Sequence, residues 1–302
     1  MNLIIIVIFV LAIIILSFRI SKQKNSLPAE VAASLSWKSL KSFGKIIPGN
    51  AQHIGSREEQ QDAFGFSDLQ NTEAIEANGA LAVLADGMGG LEKGSEASNL
   101  AVRTALAEYS VKPADEPISN ALQRVMHIAN QAVYEMARQR ERVGSIGTTM
   151  LMAVIFQGQL YYASAGDSRI YLYRNGRLWQ LTTDHVYAYE LARMVNNSQI
   201  SQEEAEGHPD RNALTSYLGL ASLTAIDQNL NPLSLQPGDK VMLCSDGLYN
   251  VLSAEKMEKA LQMDAPLAAE TLIQKALTEG YHQQDNMTVA ILQYASENRI
   301  KE

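Results

Sequence analysis

A chain of 302 residues is long enough for one large domain or two small ones, and 46% hydrophobic content supplies ample core. A net charge of −8, with 19% charged residues, argues against the broad basic face that a polyanion demands. That disfavours nucleic-acid binding, including a carboxylate-based nuclease. The single cysteine, Cys244, excludes an intrachain disulfide, and the five scattered His residues show no metal-ligand spacing.

The chain opens on an apolar run, Leu3 to Leu16, extended by Phe18 and Ile20 and followed at once by Arg19, Lys22 and Lys24. The length is at the short end for a spanning helix, and the basic flank on the carboxyl side predicts a cytoplasmic remainder. With no basic residue before the run and no small-x-small site after it, a membrane anchor over residues 1–20 is expected rather than a cleaved signal. Residues 21–50 hold Pro28, Pro48 and a weakly amphipathic patch around Trp37 to Phe43, and read as a juxtamembrane linker. Lys38, Lys41 and Lys45 suit either an anionic leaflet or solvent.

The compact domain is expected over residues 51–295, leaving a short tail at 296–302. Strand patterns occur at Ala63–Ser67, Ala80–Ala85, Thr149–Phe156, Leu160–Ala163, Arg169–Tyr173, Arg177–Thr182, Lys240–Cys244 and Met287–Tyr294. Arg174-Asn175-Gly176 between two of them is a hairpin signal. Helical periodicity fits Ser95–Tyr109, Ile118–Arg140, Ala254–Gln262 and Leu267–Glu279. Strands in adjacent pairs with helices grouped before and after them predict an α+β fold of packed antiparallel sheets flanked by helices. A polar helical insertion over residues 184–214 carries Ser201-Gln202-Glu203-Glu204, a capping-box pattern. With His185, His208 and Arg211 it is expected beside the site, either selecting substrates or simply covering the domain.

Acidic residues recur at strand ends. The run Leu81 to Ala85 leads into Asp86-Gly87, and Val241 to Cys244 leads through Ser245 into Asp246-Gly247. Asp62 precedes Ala63-Phe64, Asp285-Asn286 precedes Met287, and Asp167 lies between two further strands. An apolar run ending in Asp-Gly is also an ordinary strand exit. Several carboxylates gathered together would repel one another and take up protons, so their collection is easier to explain with hard divalent ions, which prefer oxygen. Arg57 adds a planar cationic fork suited to phosphate.

In order along the chain stand Gly55-Ser56-Arg57 with Gln61-Asp62, Ala85-Asp86-Gly87-Met88-Gly89-Gly90 with Gly94 and Ala97-Ser98, and Gly147-Thr148-Thr149. Gly166-Asp167-Ser168-Arg169, Leu218-Gly219, Ser245-Asp246-Gly247-Leu248 and Asp285-Asn286-Met287-Thr288-Val289 follow. Together they resemble the metal-dependent Ser/Thr protein phosphatases of type 2C, in their bacterial form. The resemblance implies a four-layer α-β-β-α sandwich with two central antiparallel sheets and a centre of two Mg²⁺ or Mn²⁺ ions. By position it implies that Asp86 bridges the metals, the Gly87 carbonyl binds one, and Asp246 and Asp285 hold the other with Asp62 close by. Arg57 would hold the substrate phosphate, Asn286 and Thr288 would support the ligands, and Asp167 would be structural. Phosphorylated proteins would be the substrates, in opposition to a bacterial Ser/Thr kinase at the inner membrane. A catalytically weak phosphoprotein-binding module on the same fold is the alternative.

Three departures stand out. Met88 occupies the place of a His often found in eukaryotic members, and Gln60 and Gln61 stand where Asn and an acid are common. The residues just before Gly147 lack an acid, so a third metal site is expected to be weak or absent unless Glu141 reaches it.

Overall fold

The structure, a computed structural model, describes residues 45–88, 93–279 and 283–295. The expected anchor at 1–20, the linker as far as residue 44, Gly89, Gly90 and the tail lie outside the described residues. Among the described residues no helix is long and apolar enough to cross a membrane.

Two antiparallel sheets form the centre. In one, strand β1 (Lys45–His53) pairs with β12 (Met287–Ala295), β12 with β11 (Lys240–Cys244), β11 with β7 (Arg169–Arg174), and β8 (Arg177–Gln180) forms the edge. The β7–β8 hairpin turns through Asn175 and Gly176, at φ 53° and 80°, the left-handed pair that an Asn-Gly turn supplies. The second sheet is built on β2 (Asp62–Phe66), β3 (Ala80–Met88), β5 (Met150–Phe156) and β6 (Gln159–Ala165). Short strands β9 (Asp227–Gln228) and β10 (Leu233–Ser234) lie along β6, and β4 (Gly147–Thr148) pairs with the end of β3.

Helices cover the outer faces because their apolar residues fall on one stripe. In α2 (Lys93–Ser110) Ala97, Ala101 and Ala105 are buried at four-residue spacing. In α3 (Ile118–Gln139) Ala121, Val125, Ala129 and Val133 repeat the pattern, and both helices pack on the β2–β3–β5–β6 sheet. On the other sheet lie α7 (Ala254–Ala260) and α8 (Ala265–Thr278), the latter through Ala268, Ala269, Leu272, Ile273 and Ala276. Each strand divides its side chains between two layers. In β3, Leu81, Val83 and Ala85 face the helices, so Ala82, Leu84 and Asp86 face the other sheet. In β12, Met287, Val289 and Ile291 meet α8, so Thr288, Ala290 and Leu292 turn inward. Burial on both faces explains why these strands read as unbroken apolar runs. Each Leu or Ile so buried contributes roughly 1.5–3 kcal/mol.

Two further helices escaped the sequence patterns. Helix α1 (Thr72–Asn78) is capped by Asn71, whose Oδ1 accepts from the Ala74 N–H at 3.0 Å, and α6 (Asp246–Tyr249) is a single turn. The 184–214 insertion holds α4 (Ala188–Asn196) and α5 (Gln202–Glu206), the latter opened by the expected Ser201–Glu204 capping box.

Strand β1 corrects the domain boundary. Residues 45–50 belong to the folded sheet, where the sequence placed a linker, because β1 pairs with β12 from Lys45 opposite Ala295 to His53 opposite Met287. Pro48 obscured the pattern, since proline is confined to strand edges and β1 is an edge. Gly49 lies against the start of α8, where a Cβ would stand 2.1 Å from the Ala265 carbonyl oxygen. Gly49→Ala, silent in a linker, should therefore destabilise the domain by about 1–3 kcal/mol. A shift of the urea midpoint measures this, and an unchanged midpoint would place β1 outside the cooperative fold.

Candidate metal centre

The inward-facing polar residues gather at one end of the sandwich. Asp62 and Asp86 are register partners on β2 and β3, so their carboxylates leave the same face of one sheet. From the other sheet Ser245 Oγ donates to Asp62 Oδ2 at 2.8 Å. Ser245 is placed by Thr288, whose N–H donates to its hydroxyl at 3.0 Å. Gln52 on β1 joins the sheets, its amide donating to the Asp62 carbonyl at 3.0 Å and to Thr288 Oγ1 at 2.9 Å. Asp62 is only 4% exposed, and among the described residues its Oδ1 meets no hydrogen-bond donor. A buried carboxylate oxygen without a donor is costly and rare.

In front of this pair opens a cleft of about 800 Å³, lined by Arg57, Glu59, Asp86, Gly87, Asp167, Asp246, Asp285 and Asn286 among others. Asp246 opens α6, and Asp285 stands on the loop before β12 with its Oδ1 accepting from the Asn286 N–H at 2.8 Å. Arg57 Nη2 lies 2.6 Å from Asp285 Oδ2, at the mouth, with the Arg57 side chain 60% exposed. Asn286 builds the Arg57 loop. Its Nδ2 donates to the carbonyls of Ile54 at 2.8 Å and Glu59 at 3.0 Å, and its Oδ1 accepts from the Gln61 N–H at 2.7 Å.

The acids perturb one another. Burial first, then the charges of Asp62, Asp246, Asp167 and Asp285, push the Asp86 carboxyl well above the usual range. Burial raises Asp62 to about 6 against the hydroxyls of Thr288 and Ser245. Asp246 is raised by burial and by Asp285, with the Gly247 amide and Arg57 opposing. Among the described residues, no three acidic, His or Cys side chains close into a cage unaided. The acids line a shared space instead of meeting mouth to mouth, as mutual repulsion requires. This oxygen-only donor set, with one buried carboxylate oxygen undirected, fits a hard divalent cation that keeps part of its water shell.

Of the residues singled out from sequence, Arg57, Asp86, Gly87, Asp246, Asp285 and Asn286 share the cleft, while Asp62 and Thr288 lie behind it. Asp167, read from sequence as structural, also faces the cleft, and burial and Asp246 raise it to about 6. Ser245, Gln52 and Thr149 were missed. Ser245 and Thr149 sit inside recognised motifs, but nothing local says which carboxylate or amide a hydroxyl will meet. Glu141, at φ 55°, is exposed beyond the end of α3 and is not among the described cleft residues.

The insertion is rooted beside the cleft. The Gly166 N–H donates to His185 Nδ1 at 3.1 Å and the His185 N–H to the Gly166 carbonyl at 2.9 Å, so His185 is an anchor. Burial depresses its pKa, with Asp227 and Asp184 opposing. His208 packs on the Tyr187 ring at 5.3 Å, and Arg211 donates to the Ala205 carbonyl, so both serve the insertion's own packing. Leu214 is its residue on the cleft wall. Arg169 grips Asp184 through Nε at 3.0 Å and Nη2 at 2.7 Å and stacks on Tyr249 at 3.6 Å, tying the insertion to α6.

The family model described as Protein phosphatase 2C matches residues 50–281. Over 221 residues the chain is 35% identical to the serine/threonine phosphatase stp of Listeria monocytogenes, spanning 72% of this chain and 85% of that protein. The fold matches the serine/threonine phosphatase of S. agalactiae with a TM-score of 0.68 at 29% identity, over 82% of this chain and 99% of the other. It also matches the catalytic domain of the serine/threonine protein phosphatase PstP in complex with two manganese ions. There the TM-score is 0.64 at 27% identity, over 83% of this chain and 99% of the other. A family match across nearly the whole sandwich, with acids gathered at its open end, makes this chain a member of the protein phosphatase 2C family of serine/threonine phosphatases.

Proposed function

We propose that the chain hydrolyses phosphoserine and phosphothreonine in proteins at a centre of two Mg²⁺ or Mn²⁺ ions. One observation carries the reading. Carboxylates from β3, α6 and the loop before β12 meet at one cleft beside Arg57, and behind it a buried oxygen of Asp62 on β2 has no donor among the described residues. Asp86, the Gly87 carbonyl, Asp246, Asp285 and Asp62 would hold the ions. The relative solved with two manganese ions supports the count. When bound, such ions supply Lewis acidity and an activated water for in-line displacement at phosphorus.

The chain's own residues do the remaining work. Arg57 offers a planar fork to phosphate oxygens, and Asp285 orients it across the cleft mouth. Asn286 and the Ser56–Gln284 contact, an N–H donating to a carbonyl at 2.8 Å, keep the loop in place. Met88 lines the cleft but its thioether has no proton to give, so it cannot protonate the leaving alkoxide. The apolar run at residues 3–16 with its basic flank supports anchoring at the inner membrane, the phosphatase domain cytoplasmic and opposed to a Ser/Thr kinase.

Asp86→Asn and Asp246→Asn should each lower Mn²⁺-dependent phosphate release from a phosphothreonine peptide by roughly two orders of magnitude or more. Near-native turnover by either variant removes the assignment. Binding of the phosphopeptide without release, with either metal, would turn the reading toward a binding module.

Metal and pH should be linked. Folded Asp62 keeps its proton to about 6, whereas its ordinary value is 3.8, so the folded chain binds more protons between these values. Stability of the chelator-treated protein therefore falls as pH rises through that window and stays low above it. Divalent ions relieve the repulsion but compete with protons. The Mn²⁺-induced rise in Tm should be large at pH above 7 and small below the Asp62 value, and equal shifts at both would contradict the site.

A further inference from the structure

The contact between β3 and the start of β5 departs from a regular ladder at one residue. Asp86 lies opposite Thr149 in the register that pairs Leu84 with Leu151 and Gly87 with Thr148. A regular antiparallel rung would carry two backbone bonds between them. One is present, from the Thr149 N–H to the Asp86 carbonyl at 2.8 Å. In place of the other, the Asp86 N–H donates to the Thr149 hydroxyl at 2.9 Å. Thr148 Oγ1 adds a bond to the Asp86 carbonyl at 2.8 Å.

The Thr149 hydroxyl also lies 2.8 Å from Ser168 Oγ. Either hydroxyl can donate in this pair, and the chain links the Asp86 N–H, the Thr149 hydroxyl and Ser168. Both side chains are buried, at 3% and 1% exposure. The Gly166 backbone packs closely on this side chain, since a Cβ there would stand 2.6 Å from Thr149 Cβ and Cγ2. Gly166 is held in turn by His185, and the Asp167 carbonyl accepts from Tyr249 Oη at 3.0 Å. One hydroxyl thus ties the strand end bearing Asp86 to the turn bearing Asp167, two acids that face the same cleft.

We propose that Thr149 is a positioning residue for the metal centre. Its hydroxyl sets the angle at which Asp86 enters the cleft and fixes the spacing between Asp86 and the Gly166–Ser168 turn. The inference rests on the reading of Asp86 as a metal ligand. Val in place of Thr149 keeps the shape and removes the acceptor; Ser restores it.

The test uses the full chain with Thr149→Val, Thr149→Ser and Ser168→Ala, measuring Mn²⁺ affinity by calorimetry, kcat and KM on a phosphothreonine peptide, and the urea midpoint. Thr149→Val should weaken Mn²⁺ binding about tenfold or more and lower kcat with little change in KM, while Thr149→Ser stays near wild type. Unchanged Mn²⁺ affinity in the Val variant, or a Ser variant as impaired as Val, overturns the proposal. If Thr149→Val does not fold, Ser168→Ala decides, since it leaves the Asp86 N–H satisfied. Weaker Mn²⁺ binding there supports the link and wild-type binding overturns it. A wild-type chain that neither binds Mn²⁺ nor releases phosphate defeats the metal-centre reading itself, and the inference falls with it.

Discussion

Like charges crowded at the end of an otherwise apolar interface are the constraint around which this domain is built. Between the two sheets, residues such as Leu84, Leu243 and Leu292 are fully buried, and the same strand faces end in Asp62, Asp86, Ser245 and Thr288. A carboxylate pair in such a place is unfavourable by burial and by mutual repulsion. The fold tolerates it because donors converge from the opposite sheet and because the front of the cluster opens on a wet cleft. The perturbed proton affinities of Asp62, Asp86 and Asp246 record the remaining imbalance, which a divalent cation is suited to relieve.

Rigidity in the scaffold contrasts with exposure at the mouth. Asp86 is held through both backbone groups, and Asp62 through Ser245 and its carbonyl. Asp285 and Arg57 lie at the surface, placed by Asn286 and by each other. A surface ion pair contributes little stability, so the Arg57–Asp285 contact has its meaning in orientation. By contrast, Arg174 and Asp239, at 3% and 2% side-chain exposure, form a buried pair remote in role from the cleft, locking β7 to the turn before β11.

Family membership and individuality occupy different layers. The sandwich is what the chain shares with the phosphatases it matches. Met88 and Gln61 line the cleft, and Gln60 stands beside Gln61 on the loop before β2. Gln60 uses its side-chain oxygen to accept the Asp62 N–H at 3.0 Å, and Gln61 reaches Glu59 at 3.3 Å, so both amides support the loop and add no charge to the site.

Sequence alone was enough for the strands and helices of the centre, for the Asn-Gly hairpin, for the Ser201 capping box and for the places of the acids at strand ends. Each of these is written in local periodicity, in a turn's demand for positive φ, or in a short motif. What it could not show were the partners of groups that meet across the sandwich. Strand β1 is visible only through its pairing with β12, because an edge strand carrying Pro48 has no alternating signature of its own. The roles of Gln52, Ser245 and Thr149, and the entry of Asp167 into the cleft, depend on residues tens to hundreds of positions away. A hydroxyl or amide carries no local mark of its partner, and only the closing of two sheets brings these donors to their acids.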